Sequence, residues 1–345
     1  RIHRVEDDGL DAALAAPFFT PMACPPTPES GQARAMAAVG RSGQARKGQG
    51  SEMDPERIVV INDASTARGG ATGLALLSVR LLRDLGHAVT YVCGDDGGND
   101  ELPASGVEVV ALGQGRLLDR GGAAAARDGL WNRAARAMLA RWIEARDTPR
   151  TVYHLHGWAQ LLSPSVFAAL APVSRRTILH AHDFFLACPN GVYMDFQRMQ
   201  PCRRTPLSPA CLATHCDKRS RAQKTWRVLR HAGLRRAFAR GDWAAVAMIH
   251  PAMAEPLSRA GVPERLLTAL RNPVEAASPE RVRAEENDRI VFVGRLSEEK
   301  GPLELARAAA CLGLPVTFVG AGPLEAALRQ LNPQAEFAGW QDRAG

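Results

Sequence analysis

The chain has 345 residues, 46% hydrophobic and 23% charged, a length that accommodates two domains and a composition that describes an ordinary soluble globular protein. Its longest apolar runs, such as Trp243 to Ile249 and Ala306 to Leu312, fall far short of the ~20 residues that cross a bilayer. The first thirty residues lack the basic start and apolar block of a secretory signal, so the location reads as cytoplasmic, and the net charge of +7 asks for an anionic partner whose kind the charge distribution must decide.

Residues 1–52 are rich in Arg, Ala, Gly and Pro without sustained periodicity and read as a disordered leader. Met53 stands just before the first convincing strand and reads as the biological start. From there a strand at Ile58 to Asn62 leads through a Gly-rich loop to a helix at Gly73 to Leu85, a strand at Ala88 to Cys93 and a short strand at Val107 to Val110. A helix from about Ala123 to Ala145, a strand at Val152 to Leu155, a helix at Pro164 to Leu170 and a strand at Thr177 to His180 follow. After a Cys-bearing insert at 187–217, a helix over 220–240 and a strand at Ala245 to Ile249 close a first domain spanning 53–270. Strands alternating with helices imply a parallel sheet with right-handed crossovers.

The second domain, 271–345, opens with Ile290 to Val293, a continuously apolar run expected of a strand buried on both faces. Arg295 and Lys300 follow it on a loop that feeds a helix. A strand at Pro315 to Val319 then runs into Gly320-Ala321-Gly322-Pro323 and a helix near Leu324. Two cations and free backbone N–H groups at the carboxyl end of a parallel sheet make a cradle for a diphosphate; glycine turns of any doubly wound sheet are the plainer alternative.

Positive charge concentrates between Lys218 and Arg240, where Trp226, Leu229, Leu234 and Phe238 interleave with nine cations at helical spacing. That pattern suits a solvated face over a buried apolar stripe, or docking to an anionic membrane surface. Gly69 and Gly70, in the first strand-to-helix loop, suit a backbone facing a ligand or a tight connection alone; the absence of G-x-G-x-x-G argues against a dinucleotide enzyme. VYHLHGW and ILHAHDF each end a strand with two histidines in alternation, His154 with His156 and His180 with His182, so each pair points to one side at the mouth of an α/β cleft. Hydrogen-bonded strand-end histidines are the alternative. Cys188, Cys202, Cys211 and Cys216 could hold a structural zinc, although the intervals are wide and no C-x-x-C occurs; buried or free thiols are the other reading.

GRLSEEKG, followed about twenty residues later by VGAGPLEAAL and then FAGW, resembles the carboxyl-terminal domain of retaining glycosyltransferases of the family 4 type. The resemblance covers roughly residues 57–340. It implies an α/β architecture of two Rossmann-like domains (GT-B) with a catalytic cleft between them. In it Arg295 and Lys300 bind the diphosphate of a nucleotide-sugar donor together with Gly320 and Gly322, and RGGA, carrying Gly69 and Gly70, lies near the transferred sugar. HAHD resembles the motif whose last histidine, here His182, contacts the donor sugar and departing phosphate; His156 is a second catalytic candidate with Asp183 as its orienting neighbour. Asn272 matches a position that shapes the cleft floor.

The implied activity is transfer of a sugar, with retention, from a nucleoside-diphosphate sugar to a sugar or lipid-linked acceptor in polysaccharide or glycolipid synthesis. Transfer needs no metal cofactor, nucleic acid is not a partner, and the basic helix allows peripheral contact at the inner membrane face. Family members continue for another hundred residues or more and carry two donor-binding glutamates not found here. The second domain is therefore expected to be incomplete and turnover weak, and a truncated, non-catalytic nucleotide-diphosphate-binding remnant is the alternative. A nucleotide-sugar epimerase would show G-x-x-G-x-x-G and Tyr-x-x-x-Lys, and neither is present.

Overall fold

The computed structural model describes residues 55–67, 69–115, 122–273, 280–281 and 283–341. The expected leader at 1–52 and start at Met53, like Arg68 of the first loop, lie outside the described residues. The described residues fall into two compact units, one running from 55 to 273 and the other from 280 to 341.

The first unit is built on β1 (Arg57–Asn62), α1 (Gly70–Asp84), β2 (Ala88–Cys93), α2 (Glu101–Ala104), β3 (Glu108–Ala111), α3 (Gly122–Leu130), α4 (Arg133–Arg146), β4 (Thr151–Leu155), α5 (Ser165–Leu170) and β5 (Thr177–Ala181). The insert adds a minimal hairpin, β6 (Met194–Asp195) and β7 (Gln200–Pro201), and α6 (Pro209–Ala213); α7 (Arg221–Phe238), β8 (Ala245–Met248), α8 (Ala254–Arg259) and β9 (Leu267–Ala269) complete the unit. Its seven strands lie in the order β3-β2-β1-β4-β5-β8-β9, all parallel. Alternate residues of β1 feed two cores, Val59 and Ile61 on one face and Ile58 and Val60 on the other, as the two-residue strand period requires. The chain reverses its direction across the sheet between β1 and β4, and ligands bind at the carboxyl ends of strands flanking such a switch.

Several expectations need correction here. The helix expected over Ala123 to Ala145 is two helices, because the Asn132 side chain accepts the Ala135 N–H at 3.1 Å and starts α4 afresh. The first helix begins at Gly70 instead of Gly73. The basic helix buries Leu234 and Phe238 as expected, but its cationic face is not wholly solvated: Lys224 and Arg230 are buried too, while Leu229 is exposed.

The second unit contains β10 (Ile290–Val293), α9 (Pro302–Leu312), β11 (Val316–Val319), α10 (Glu325–Leu331) and β12 (Glu336–Gly339), with the sheet order β10-β11-β12, again all parallel. One core gathers Ala306, Ala309, Val316, Phe318 and Leu328 with Ile290, Phe292 and Phe337. β10 is not buried on both faces as its apolar run suggests; Val291 is 55% and Val293 76% exposed, since β10 is an edge strand with only its Ile290 and Phe292 face in this core.

The Gly320 and Gly322 turn packs against the first loop. Gly320 has φ +134°, and a Cβ there would collide with the Gly294 carbonyl oxygen; one at Gly322 would collide with that of Leu296. Leu296 N–H donates to Ala321 O at 3.1 Å, and Leu324 N–H donates to Leu296 O at 3.1 Å. The close backbone approach read from these glycines is thus satisfied by the neighbouring loop.

Candidate functional site

A cavity of about 1580 Å³ opens in the first unit at the carboxyl ends of β1, β2, β4 and β5. The first turn of α1, Gly69 to Thr72, lines one side; His156, His180, His182 and Asp183 line another; Trp158, Phe185 and Trp226 supply an aromatic wall, with Arg219 and Arg227 beside it.

The framing loops are tied by buried polar groups. Asn62, at the end of β1, donates to Ala64 O at 2.8 Å and to Thr72 Oγ1 at 3.2 Å, joining the strand end to the start of α1. Asp63 accepts the N–H groups of Gln160, Leu161 and Leu162 at 2.7–2.9 Å. Burial pushes its carboxyl above the ordinary value, and those three amides pull it back only in part. Asp95 accepts Ser65 N–H at 2.8 Å. Both acids hold loops, although both also line the cavity. Gly157 sits so close to Asn62 that a Cβ there would collide with Asn62 Oδ1.

Arg230 organises the aromatic wall from behind. Its guanidinium donates to Gly129 O at 2.8 Å and Ala159 O at 2.9 Å, and its centre lies 5.3, 5.9 and 5.7 Å from the rings of Trp158, Phe185 and Trp226. Burial lowers its pKa to about 10. Trp226 is fixed further by Nε1–H donation to Ala126 O at 2.9 Å.

The four strand-end histidines form one chain. His182 Nε2 lies 3.0 Å from His156 Nδ1, His156 Nε2 lies 3.2 Å from His154 Nδ1, and His154 Nε2 lies 3.1 Å from His180 Nδ1. Burial, and for His154 also its histidine neighbours, lowers the pKa of His154 to about 3; His180 and His182 are lowered to about 4, and His156 lies well below its ordinary value. All four are therefore neutral at pH 7. A neutral imidazole carries one N–H and one bare nitrogen, so all three contacts are satisfied when the protons run the same way along the chain. The ends, His180 Nε2 and His182 Nδ1, are buried without a hydrogen-bond partner.

Of the residues expected at the site, the fold brings His182, His156, Asp183, Gly69 and Gly70 to this cavity. Asp183 does not orient His156; it accepts the Phe185 N–H at 2.9 Å, and the partner of His156 Nδ1 is His182. Asn272, near the end of the first unit, has a buried Oδ1 without a hydrogen bond. Arg295, Lys300, Gly320 and Gly322 belong to the second unit. There Arg295 and Lys300 are both exposed on the loop leaving β10, and Arg295 Nη2 meets Glu299 Oε1 at 3.1 Å.

Of the four cysteines, Cys188, Cys211 and Cys216 are buried and Cys202 is half-buried, all with free thiols. Lys224 Nζ lies 3.1 Å from Cys216 Sγ and 3.6 Å from Cys211 Sγ. Cys188 Sγ meets Asn190 Oδ1 at 3.2 Å, and Cys202 Sγ meets Arg204 Nη1 at 3.6 Å. The aromatic wall and the loop-tying acids escaped sequence reading; their partners lie about 30 to 100 residues away, and only Trp158, following the second histidine at the end of β4, gave a local signal.

No protein-family model matches the chain, and no curated protein matches it. Solved structures do. A glycosyltransferase from Rickettsia africae superposes with a TM-score of 0.50 at 12% identity over 84% of this chain and 69% of that one. Anabaena HepE, solved in complex with UDP, aligns at 0.49 and 15% identity over 83% and 69%. The lipopolysaccharide outer core galactosyltransferase WaaB aligns at 0.45 and 10% identity over 84% and 69%. With its two Rossmann-like α/β units, the chain has the fold of the GT-B glycosyltransferases.

Proposed function

We propose that the protein is a glycosyltransferase that moves a sugar from a nucleoside-diphosphate donor to an acceptor, with retention of configuration as in the family 4 type. The observation that carries this reading is the cavity at the switch of the parallel sheet, where paired neutral histidines, His156 and His182, face the Gly69-Gly70 start of α1 and an aromatic wall. Aromatic faces and hydrogen-bonding edges suit a sugar ring. His182 contacts the transferred sugar and leaving phosphate, and His156 fixes the imidazole of His182. Neutral imidazole can donate to the leaving oxygen without adding a buried charge.

Arg295 and Lys300, with the backbone near Gly320 and Gly322, bind the donor diphosphate and stabilise the charge that develops as it leaves. The Arg295–Glu299 pair is an exposed i,i+4 contact, worth roughly 0.3–0.5 kcal/mol, so a dianionic diphosphate displaces Glu299 at little cost. A role in polysaccharide or glycolipid synthesis rests on the resemblance to the family 4 type. The exposed cations Arg221, Arg236 and Arg240 offer contact to an anionic membrane, and no described helix is long and apolar enough to cross one.

The test is calorimetric titration of nucleoside diphosphates against wild type, Arg295→Ala and Lys300→Ala, followed by assay of donor hydrolysis and transfer. Binding that weakens at least about 10-fold in either variant, with turnover in wild type, is expected. Binding without turnover marks a nucleotide-binding protein instead, and equal binding in all three removes the diphosphate assignment.

A further inference from the structure

We infer that His154, His156 and His180 form a binding site for a borderline divalent transition metal ion such as Zn²⁺, with His182 beside it. One ring nitrogen of each of the three lies within 4.8 Å of the others. The 3.1–3.2 Å contacts among them reach His154 through its two different nitrogens, Nδ1 to His156 and Nε2 to His180, so the three rings are packed edge to edge around a common point while each can offer a cation only one nitrogen. Rotation about the side-chain torsions, with loss of the present ring-to-ring hydrogen bonds, closes that 4.8 Å spacing toward the ~3.3 Å edge of a tetrahedron with Zn–N bonds of about 2.0–2.1 Å.

The arrangement follows from the sheet. His154 and His156 are two residues apart at the end of β4, so they share a face. His180 sits on the adjacent parallel strand, whose register pairs His154 with Ile178, and therefore projects onto the same face two residues further along. Side chains from two neighbouring strands make a rigid base, which a metal site requires.

Without a metal, the histidine chain has a flaw. Its two end atoms, His180 Nε2 and His182 Nδ1, are buried without a hydrogen-bond partner. A buried polar atom without a partner is destabilising. Rotating His154, His156 and His180 onto a cation replaces proton sharing with coordination and lets these atoms be re-paired. Three nitrogen donors and no carboxylate in the set select Zn²⁺, Co²⁺, Ni²⁺ or Cu²⁺ over Mg²⁺ and Ca²⁺. The inference shares His156 with the glycosyltransferase reading but is tested without it, since metal binding is read with no nucleotide sugar present.

The test uses the full chain, stripped with chelator and titrated with Co²⁺ and Zn²⁺ in the absence of any nucleotide sugar. One equivalent of Co²⁺ is expected to give intense visible ligand-field bands of a tetrahedral nitrogen site, bleached by Zn²⁺ and unaffected by excess Mg²⁺. His154→Gln and His180→Gln should each weaken binding by about 100-fold or more, while His215→Ala and Cys216→Ser leave it unchanged. Should the histidine variants fail to fold, X-ray absorption of the Zn²⁺-loaded wild type decides: three or more imidazoles support the site, and sulfur scatterers or fewer imidazoles overturn it. Absence of stoichiometric binding, or binding unaltered in folded His154→Gln, also overturns it.

Discussion

His156 Nδ1 and His182 Nε2 stand 3.0 Å apart, joining the end of β4 to the end of β5 at the wall of the cavity. Neither ring can turn without breaking this contact, and His156 is held from behind by His154 at 3.2 Å. The cavity thus presents an imidazole whose orientation is set by the sheet itself.

The aromatic wall should fail if its buried cation changes shape. Arg230 spans two carbonyls and three rings, a planar fork that a lysine cannot reproduce. Arg230→Lys should destabilise the first unit by about 2 kcal/mol and red-shift tryptophan emission as Trp158 and Trp226 loosen. Urea denaturation followed by fluorescence checks both; an unchanged midpoint would show that the guanidinium contacts carry no stability.

The glycine turn of the second unit gives a sharper contrast. Gly320→Ala forces a Cβ into the Gly294 carbonyl at φ +134° and should cost roughly 2–4 kcal/mol. Gly313, at φ +65° with open space around it, should cost only about 1 kcal/mol as Ala. Hydrogen exchange of the β10 to β12 amides, compared between the two variants, reads the difference directly.

Acid should weaken the fold through Asp147. Its carboxylate receives Arg176 Nη2 at 2.7 Å and the Tyr153 hydroxyl at 2.7 Å. Burial pushes the carboxyl up, but these hydrogen bonds outweigh it and hold the pKa below the ordinary value. A carboxyl lowered on folding contributes stability that is complete above the unfolded value of about 3.9 and is lost as pH falls through the folded one. Asp147→Asn should therefore lose stability relative to wild type at pH 7, and the gap should narrow below pH 4. Denaturation midpoints at pH 7 and pH 3.5 test the sign.

Much of this fold was legible because its signals are local. Apolar runs broken by glycine marked the parallel strands, and the two-residue alternation in VYHLHGW and ILHAHDF already put His154 with His156 and His180 with His182. What the sequence concealed depends on distant partners. Lys224 and Arg230 read as solvent-facing because cations are seldom buried, yet one lies between thiols at 211 and 216 and the other under rings at 158 and 185. An apolar strand looks the same at an edge as in the middle of a sheet, so the exposure of Val291 and Val293 could not be read. Asp63 gained its role only from amides almost a hundred residues on. β9 was missed since three residues carry no period.

The most direct measurement is nucleoside-diphosphate release from a panel of nucleotide sugars by wild type and His182→Ala, with circular dichroism to confirm that both are folded. The account predicts release with at least one donor and a fall of at least about 100-fold in kcat in the variant, the share expected of one positioned hydrogen-bond donor to the developing charge, with donor affinity little changed. Equal rates in the two proteins would contradict it.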